Sequence, residues 1–282
     1  MKYIIGMSGG VDSCFALVVA IEGGLDVAAA VTFDNGWDDP VAGKNADAVC
    51  SLYNVPRKTY SCDLNEFHEI QRAFLLGGTM HAECPSDVAI KSSMLRGLKE
   101  LGADQVITGS NWLEGKPKPD WSVVDGLYVK DVVRKHGRNG LKLKTFPNMN
   151  LWDHIRFRKK IYPILDDMSR WRAKYEPEKA KELLKMTGWQ DYKVKHHENL
   201  YTKFNQLYRF YKFGVDMRTI EIDHSYDLSK PPAPREEFEK LGKWVCGILD
   251  LDFKKLMDMP PRNWRDYRSY RKYILRVKGL FK

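Results

Sequence analysis

Six consecutive residues, Ser8-Gly9-Gly10-Val11-Asp12-Ser13, carry the types and spacing that most directly imply chemistry. Two glycines let a backbone come close to a ligand, and the helix expected after them presents unpaired N–H groups and the positive end of its dipole. Ser8 and Ser13 add hydroxyl donors to the same rim. Asp12 would repel a phosphate unless a divalent cation lay between them, so the string asks for a polyphosphate accompanied by a metal ion. It is not the Walker loop, which needs a Lys-Ser or Lys-Thr pair after its glycines.

The elements that must position this string are legible in the hydrophobic pattern. Lys2-Tyr3-Ile4-Ile5-Gly6-Met7 reads as a buried strand, and the apolar run over 14–20, closed by Gly23-Gly24, reads as a helix. Residues 27–33 form a second apolar strand that ends at Asp34-Asn35-Gly36-Trp37. A helix over 40–53, an extended piece near 58–60 and helices over 64–76 and 86–102 follow, and residues 105–108 make a further strand ending at Gly109-Ser110-Asn111. Strands alternating with helices predict an α/β fold, a parallel twisted sheet with flanking helices joined by right-handed crossovers. Ligands of such sheets sit beyond the carboxyl ends of the strands, which singles out the loops 8–13, 34–37 and 109–116 as one rim.

From about residue 113 the rhythm stops. Residues 130–218 hold 22 Lys and Arg against 10 Asp and Glu, a local +12 in a chain whose net charge is +9. The basic region is expected to be mostly helical, which gives an organisation of a nucleotide-binding α/β domain over 1–125 and an acceptor-binding region over 126–282. A cluster such as Arg156-Phe157-Arg158-Lys159-Lys160 attracts RNA, a membrane surface or a nucleotide-linked substrate, or is a solvated helix face. No paired Cys/His finger or aromatic RNP string accompanies it.

The 282 residues are 43% hydrophobic, enough for a substantial core. No apolar run approaches the roughly 20 residues of a membrane span and no signal peptide precedes the first strand, so the expected location is the cytoplasm. Cys14, Cys50, Cys62, Cys84 and Cys246 are scattered and never form Cys-x-x-Cys, which predicts mostly buried thiols in a reducing compartment and argues against a structural zinc site.

Ser8-Gly9-Gly10-Val11-Asp12-Ser13 resembles the pyrophosphate loop of the N-type ATP pyrophosphatases, the superfamily of GMP synthetase, NAD synthetase, argininosuccinate synthetase and the tRNA thiolases. The resemblance implies an adenine nucleotide alpha hydrolase-like, Rossmann-like fold, with ATP and Mg²⁺ as cofactors. Phe33-Asp34-Asn35-Gly36 looks like the motif whose backbone reads adenine and ribose. Thr108-Gly109-Ser110-Asn111 with Glu114 is similar to the segment that lies over the nucleotide. The ATP-binding residues so implied are Ser8, Gly9, Gly10, Val11, Asp12, Ser13, Phe33, Asp34 and Gly109, with Asp12 and Glu114 as metal ligands. A plain Asp-Asn-Gly turn and a solvated Glu114 are the alternatives for the last two loops.

Further phrases narrow the resemblance to the N-acetyl sugar amidotransferases, ammonia-using enzymes of surface-polysaccharide and nonulosonic-acid pathways. They include Leu143-Lys144-Thr145-Phe146-Pro147, Tyr162-Pro163-Ile164-Leu165-Asp166, Gly188-Trp189-Gln190-Asp191-Tyr192, Lys195-His196-His197-Glu198, Tyr201-Thr202-Lys203-Phe204 and Pro85-Ser86-Asp87. The chain departs from that pattern in starting directly at its first strand, without a cysteine-bearing segment, and in having Val88 where the family tends to have His. The acceptor would be an N-acetylated sugar or nucleotide sugar, with Asp87, Lys91, Lys144, Lys195, His197 and Lys203 as candidate contacts. His196 and Glu198 join Asp12 and Ser13 as candidate catalytic residues, since a His near a Glu can take a proton from ammonium or orient a carboxylate. A histidine satisfied by backbone is the other reading. No glutaminase triad or Cys-His signature appears, so ammonia would arrive free or from a glutaminase partner.

Two other functions fit parts of the pattern. A tRNA-modifying enzyme of the thiolase type would use the local basicity and Cys84, whose thiol pKa a helix N-terminus would lower; a semi-buried structural cysteine is the alternative. A non-catalytic ATP-binding sensor on the same fold is the third reading.

Overall fold

The computed structural model describes residues 1–110, 124–138, 140–166, 175–191, 199–219 and 229–277. The chain divides into two compact units, each assembled from three stretches of sequence: Met1–Ser61, Ile90–Glu114 and Ile155–Leu200 in the first, Cys62–Ala89, Gly115–His154 and Tyr201–Lys282 in the second.

The first unit is built on a five-stranded parallel sheet of order β3-β2-β1-β4-β5. Its strands are β1 (Lys2–Gly6), β2 (Asp26–Phe33), β3 (Arg57–Tyr60), β4 (Gln105–Thr108) and β5 (Ile161–Pro163). β1 is central, with Ile5 paired to Ala30 on one side and to Ile107 on the other. Both of its faces are covered, so Tyr3, Ile4 and Ile5 are all buried, as a continuous apolar run in a parallel sheet requires. Helix α1 (Val11–Glu22) follows β1, and α2 (Pro40–Leu52) follows β2. Asp39 starts α2 by accepting the Val41 N–H at 2.8 Å, with Pro40 at the first helical position. Ile5, Met7, Cys14, Leu17, Ala46, Val49, Tyr175, Ala180 and Trp189 share one apolar core, which joins α1, α2 and α7 (Pro177–Lys185) to one side of the sheet.

The alternation over the first 108 residues is as the sequence predicts, and the α/β class with a parallel sheet holds. β5 is the difference. It lies in the basic region past the point where the strand–helix rhythm stops, and it pairs Val106 with Ile161 and Thr108 with Pro163. Three residues caught between a basic helix and a turn are too few to show a strand period.

The second unit is helical. It holds α3 (Leu64–Leu76), α5 (Gly126–His136), α8 (Leu200–Phe213) from its second residue on, α9 (Arg235–Ile248), α10 (Phe253–Asp258) and α11 (Tyr270–Val277). Besides α8, two helices run through a unit boundary in the sequence: α4 (Cys84–Leu101) and α6 (Leu151–Lys160). The second unit's core is aromatic. Phe74 meets Tyr128 edge-on at 5.2 Å, Tyr128 meets Tyr267 at 5.6 Å, and Tyr211 stacks on Phe238 at 4.8 Å. The buried Tyr128 hydroxyl finds its partner in Thr79 at 2.7 Å. Among the described residues no helix is long and apolar enough to cross a membrane.

Candidate functional site

In a doubly wound sheet the ligand crevice opens where the strand order reverses, outside the carboxyl ends of the two strands concerned. Here those strands are β1 and β4: from β1 the chain steps to β2 and β3 on one side, while β4 and β5 lie on the other. The loop Met7–Gly10 leaves β1 at that edge and runs into α1, and Gly109 leaves β4 beside it.

The loop is bound to itself through its two serines. The Ser8 N–H donates to Ser13 Oγ at 3.2 Å, the two hydroxyls lie 3.0 Å apart, and the Gly10 N–H donates to Ser8 Oγ at 3.3 Å. The Ser13 hydroxyl also reaches the Gly10 carbonyl at 3.2 Å. Gly10 is the N-cap of α1 and contributes no side-chain cap, so the first N–H groups of a 12-residue helix open onto the loop. Such a helix start is an anion-binding feature.

Two glycines make this geometry possible. Gly9 has φ +83°, and a Cβ there would stand 2.1 Å from the Ala42 carbonyl oxygen. Gly109 lets β4 end against α1, since a Cβ on it would lie 2.7 Å from both the Asp12 carbonyl carbon and the Ser13 nitrogen. Any side chain at 109 would fill the space over the first turn of α1. That cradle, a bare helix start flanked by two hydroxyls, fits the phosphates of ATP.

Three polar side chains fix the loop from outside the motif. The Trp189 indole N–H donates to the Gly9 carbonyl at 2.9 Å, and the Asn45 amide donates to the same oxygen at 3.2 Å. Asn45 also accepts the Gln190 N–H at 2.8 Å and donates to the Gln190 carbonyl at 2.9 Å, so α2 and the 189–190 segment form one clamp on the left-handed Gly9. Tyr175 is buried, packs its ring 5.8 Å from that of Phe15, and donates its hydroxyl to Asp12 Oδ1.

The second loop, after β2, is an Asx turn. Asp34 accepts the Gly36 N–H at 2.9 Å and Asn35 accepts the Trp37 N–H at 3.0 Å. Asn199 donates to both Asn35 at 3.0 Å and Asp38 at 2.7 Å, and the Leu200 N–H donates to the Trp37 carbonyl at 2.9 Å. Phe33 is buried at the end of β2, whereas Asp34 is exposed at the edge of the crevice.

Ser8, Gly9, Gly10, Val11, Asp12 and Ser13 therefore form one turn against Gly109, with Phe33 and Asp34 ending the neighbouring strand, all in the first unit. Lys91 is also in that unit, half-buried on α4. Asp87, Lys144 and Lys203 belong to the second unit. Asp87 lies 3.4 Å from His81 Nε2, the Lys144 N–H donates to Glu66 at 2.8 Å, and Lys203 pairs with Glu237 at 2.6 Å. Glu114, Lys195, His196, His197 and Glu198 lie outside the described residues. Cys84 is the first residue of α4 and is wholly buried. Four of the five cysteines are buried, and burial pushes the Cys50 thiol up to about 11 and the Cys246 thiol to about 12.

Asn45, Tyr175 and Asn199 escaped the sequence reading, and Trp189 entered it only as part of a family phrase. The one sequence signal for the clamp is an Asn and a Trp that turn out to be buried beside a Gly-Gly turn.

Asp12 is half-buried in the first turn of α1 with its Oδ1 accepting from Tyr175, and among the described residues no group of three His, Cys, Asp or Glu is placed to hold a metal ion. One carboxylate next to a phosphate cradle is the donor set that suits Mg²⁺, which keeps several waters and is held largely by substrate phosphates.

No protein-family model matches the chain, and no curated protein matches it. Among solved structures it is similar to NMN synthetase from Francisella tularensis, at 14% identity over 92% of this chain and 88% of that one, with a TM-score of 0.35. It is also similar to the U34-tRNA thiolase NcsA from Methanococcus maripaludis, at 17% identity over 95% and 80%, with a TM-score of 0.41. A third is the glutamine-dependent NAD+ synthetase from Acinetobacter baumannii in complex with ADP, at 14% identity over 95% and 45%, with a TM-score of 0.36.

Proposed function

We propose that this chain is an ATP-dependent amidotransferase of the N-type ATP pyrophosphatase superfamily. It adenylates the N-acetyl carbonyl of a sugar or nucleotide sugar and lets ammonia displace AMP to leave an acetamidino group. One observation carries the nucleotide half of this reading: the bare start of α1, flanked by Ser8 and Ser13, cleared by Gly9 and Gly109, and set at the switch point of the sheet. The end-to-end resemblance of its sequence phrases to the N-acetyl sugar amidotransferases supports the acceptor half.

The chemistry follows from what an amide lacks. Its carbonyl oxygen is a poor leaving group, so that oxygen first attacks the α-phosphorus of ATP, and the bond to the β-phosphate oxygen breaks to release pyrophosphate. Ammonia then adds to the activated carbon, loses a proton, and AMP departs. The chain's share is to hold the reactants in line and neutralise the departing pyrophosphate. The N–H groups at the start of α1 and the hydroxyls of Ser8 and Ser13 serve the second task. Tyr175 positions the Asp12 carboxylate. Mg²⁺, when bound there, supplies the remaining positive charge. Residues 1–125 provide the nucleotide loops and, in Asp87 and Lys91, two of the acceptor contacts; 126–282 provide the others, with His196 and Glu198 handling the ammonium proton. A glutaminase partner is the proposed ammonia source, and the cytoplasm the proposed location.

Incubation with ATP, ammonium, Mg²⁺ and a panel of N-acetylated sugars and nucleotide sugars tests this directly. AMP and pyrophosphate are expected, formed only with acceptor present, and Asp12→Ala should lower the rate by about 10²-fold or more while the circular dichroism spectrum is unchanged. ADP as the product sinks the proposal. Transfer of sulfur to tRNA, lost on Cys84→Ala, would replace it with the thiolase reading.

A further inference from the structure

A surface helix ordinarily turns its apolar stripe towards the core. Helix α11 does the reverse. Tyr270, Tyr273, Ile274 and Val277 are spaced i, i+3, i+4, i+7 and share one face. Of that face Tyr273 is 42% exposed, Ile274 41% and Val277 88%, whereas Arg271, Lys272 and Leu275 on the other side are half-buried. The inner side is anchored. Arg271 and Arg265 hold their guanidinium groups 5.7 and 5.2 Å from the ring of the buried Trp264, and the Lys272 N–H donates to Ser269 Oγ at 3.0 Å. The outward direction of the stripe is therefore fixed by how the opposite side is held. At its first residue Tyr270 meets His154 of α6 at 6.3 Å, and two residues before that histidine stands Trp152, 72% exposed.

The charge around this stripe is one-sided. Among the described residues, 260–277 contain six Lys and Arg and one Asp, a net +5, and α11 has no acidic residue. A second copy of the chain seated on the stripe would set +5 against +5. An RNA strand would match the charge, but Ile274 and Val277 offer it neither a ring face nor a hydrogen-bond donor. An anionic lipid surface satisfies both features at once: the aliphatic and aromatic side chains sink to the acyl boundary, and the exposed Arg268 and Arg276 meet the headgroups.

We infer that α11 docks this chain on an anionic membrane surface, lying in the plane of the interface with Tyr273, Ile274 and Val277 inserted. This is a property separate from the nucleotide site and does not depend on the reading of that site. It also does not conflict with the lack, among the described residues, of a helix able to cross a membrane. A helix that lies on the surface needs only one apolar face.

Co-sedimentation of the full chain with phosphatidylcholine vesicles, with and without phosphatidylglycerol, is the test. Binding is expected to the anionic vesicles and not to the neutral ones. The double substitution Ile274→Glu, Val277→Glu, at two exposed positions, should weaken that binding roughly tenfold or more with the thermal midpoint unchanged. Three results overturn the inference. One is no binding to anionic vesicles; another is binding that the double substitution leaves intact, which is charge adsorption alone. The third is either a dimer that the substitution dissolves or a preference for unstructured RNA over vesicles.

Discussion

Among the described residues the buried aspartates and arginine all lie in the second unit, whereas the buried polar side chains of the first are neutral. In the first, the side chains that fix the candidate site are neutral: Asn45 and Trp189 hold one backbone carbonyl, and Asn199 ties down Asn35. In the second, ionic side chains are buried beside neutral ones such as Thr79 and Asn205. Arg209 donates to Glu83 at 2.9 Å and to the Met80 carbonyl at 2.9 Å, and Asp131, with its side chain 2% exposed, takes Arg134 at 2.8 Å and Lys135 at 3.1 Å. The contrast separates two tasks. On the proposed reading, a loop that receives a polyanion is best held by dipoles that fix its shape without adding a net charge of their own. A helical unit with several short, polar-faced helices can use a buried ion pair such as Arg209–Glu83 to fix which segment meets which, at a desolvation cost, while the Asp131 pairs stay within α5.

The largest expected effect that probes this contrast is in the second unit. Arg209→Met leaves Glu83 without its cation and should cost about 3 kcal/mol or more in urea denaturation, while ATP affinity measured by titration calorimetry stays within about twofold. A large loss of ATP affinity in a folded variant would break the separation. Trp189→Phe comes next. It keeps an aromatic ring but removes the donor to the Gly9 carbonyl, and should weaken ATP affinity roughly fivefold, about 1 kcal/mol, on top of the stability lost with a smaller core side chain. A loss of stability with ATP affinity unchanged would mean the clamp serves the core and not the loop.

The smallest effect is a pH dependence. Asp125 caps α5 by accepting the Tyr128 N–H at 2.7 Å, yet burial pushes its carboxyl up to about 6 from an ordinary 3.8. The folded chain therefore holds this proton more tightly than the unfolded one. The stability it contributes is complete below about pH 4 and is lost as pH rises through about 6. Asp125→Asn keeps a capping oxygen without the titration, so its thermal midpoint should rise relative to the parent between pH 4 and 7. A constant difference across that range would show that the cap, and not the charge, decides.

What the sequence made legible follows the same division. The loop after β1 was readable because its chemistry sits in six consecutive residues, and β1, β2 and β4 were readable because buried parallel strands carry apolar runs, whereas β3 showed only as an extended piece between two helices. The clamp was not, because its partners are 36 and 180 residues from Gly9 and only the packed fold makes them neighbours. Tyr175 is 163 residues from Asp12 and escaped for the same reason. β5 was missed because three residues carry no period. The outward stripe of α11 was missed because a sequence pattern gives the width of an apolar face and not its direction.

β5 has one more bearing, on how the molecule behaves when concentrated. Among the described residues it and β3 are the two margins of the sheet, where a further strand from another molecule would attach. β5 is three residues long and ends in Pro163, which has no N–H to offer. β3 is four residues long and opens with Arg57 and Lys58. Short margins ending in proline or carrying cations resist the edge-to-edge growth that leads to fibrils. A solution of this protein should stay free of β-aggregates as long as the sheet itself remains folded.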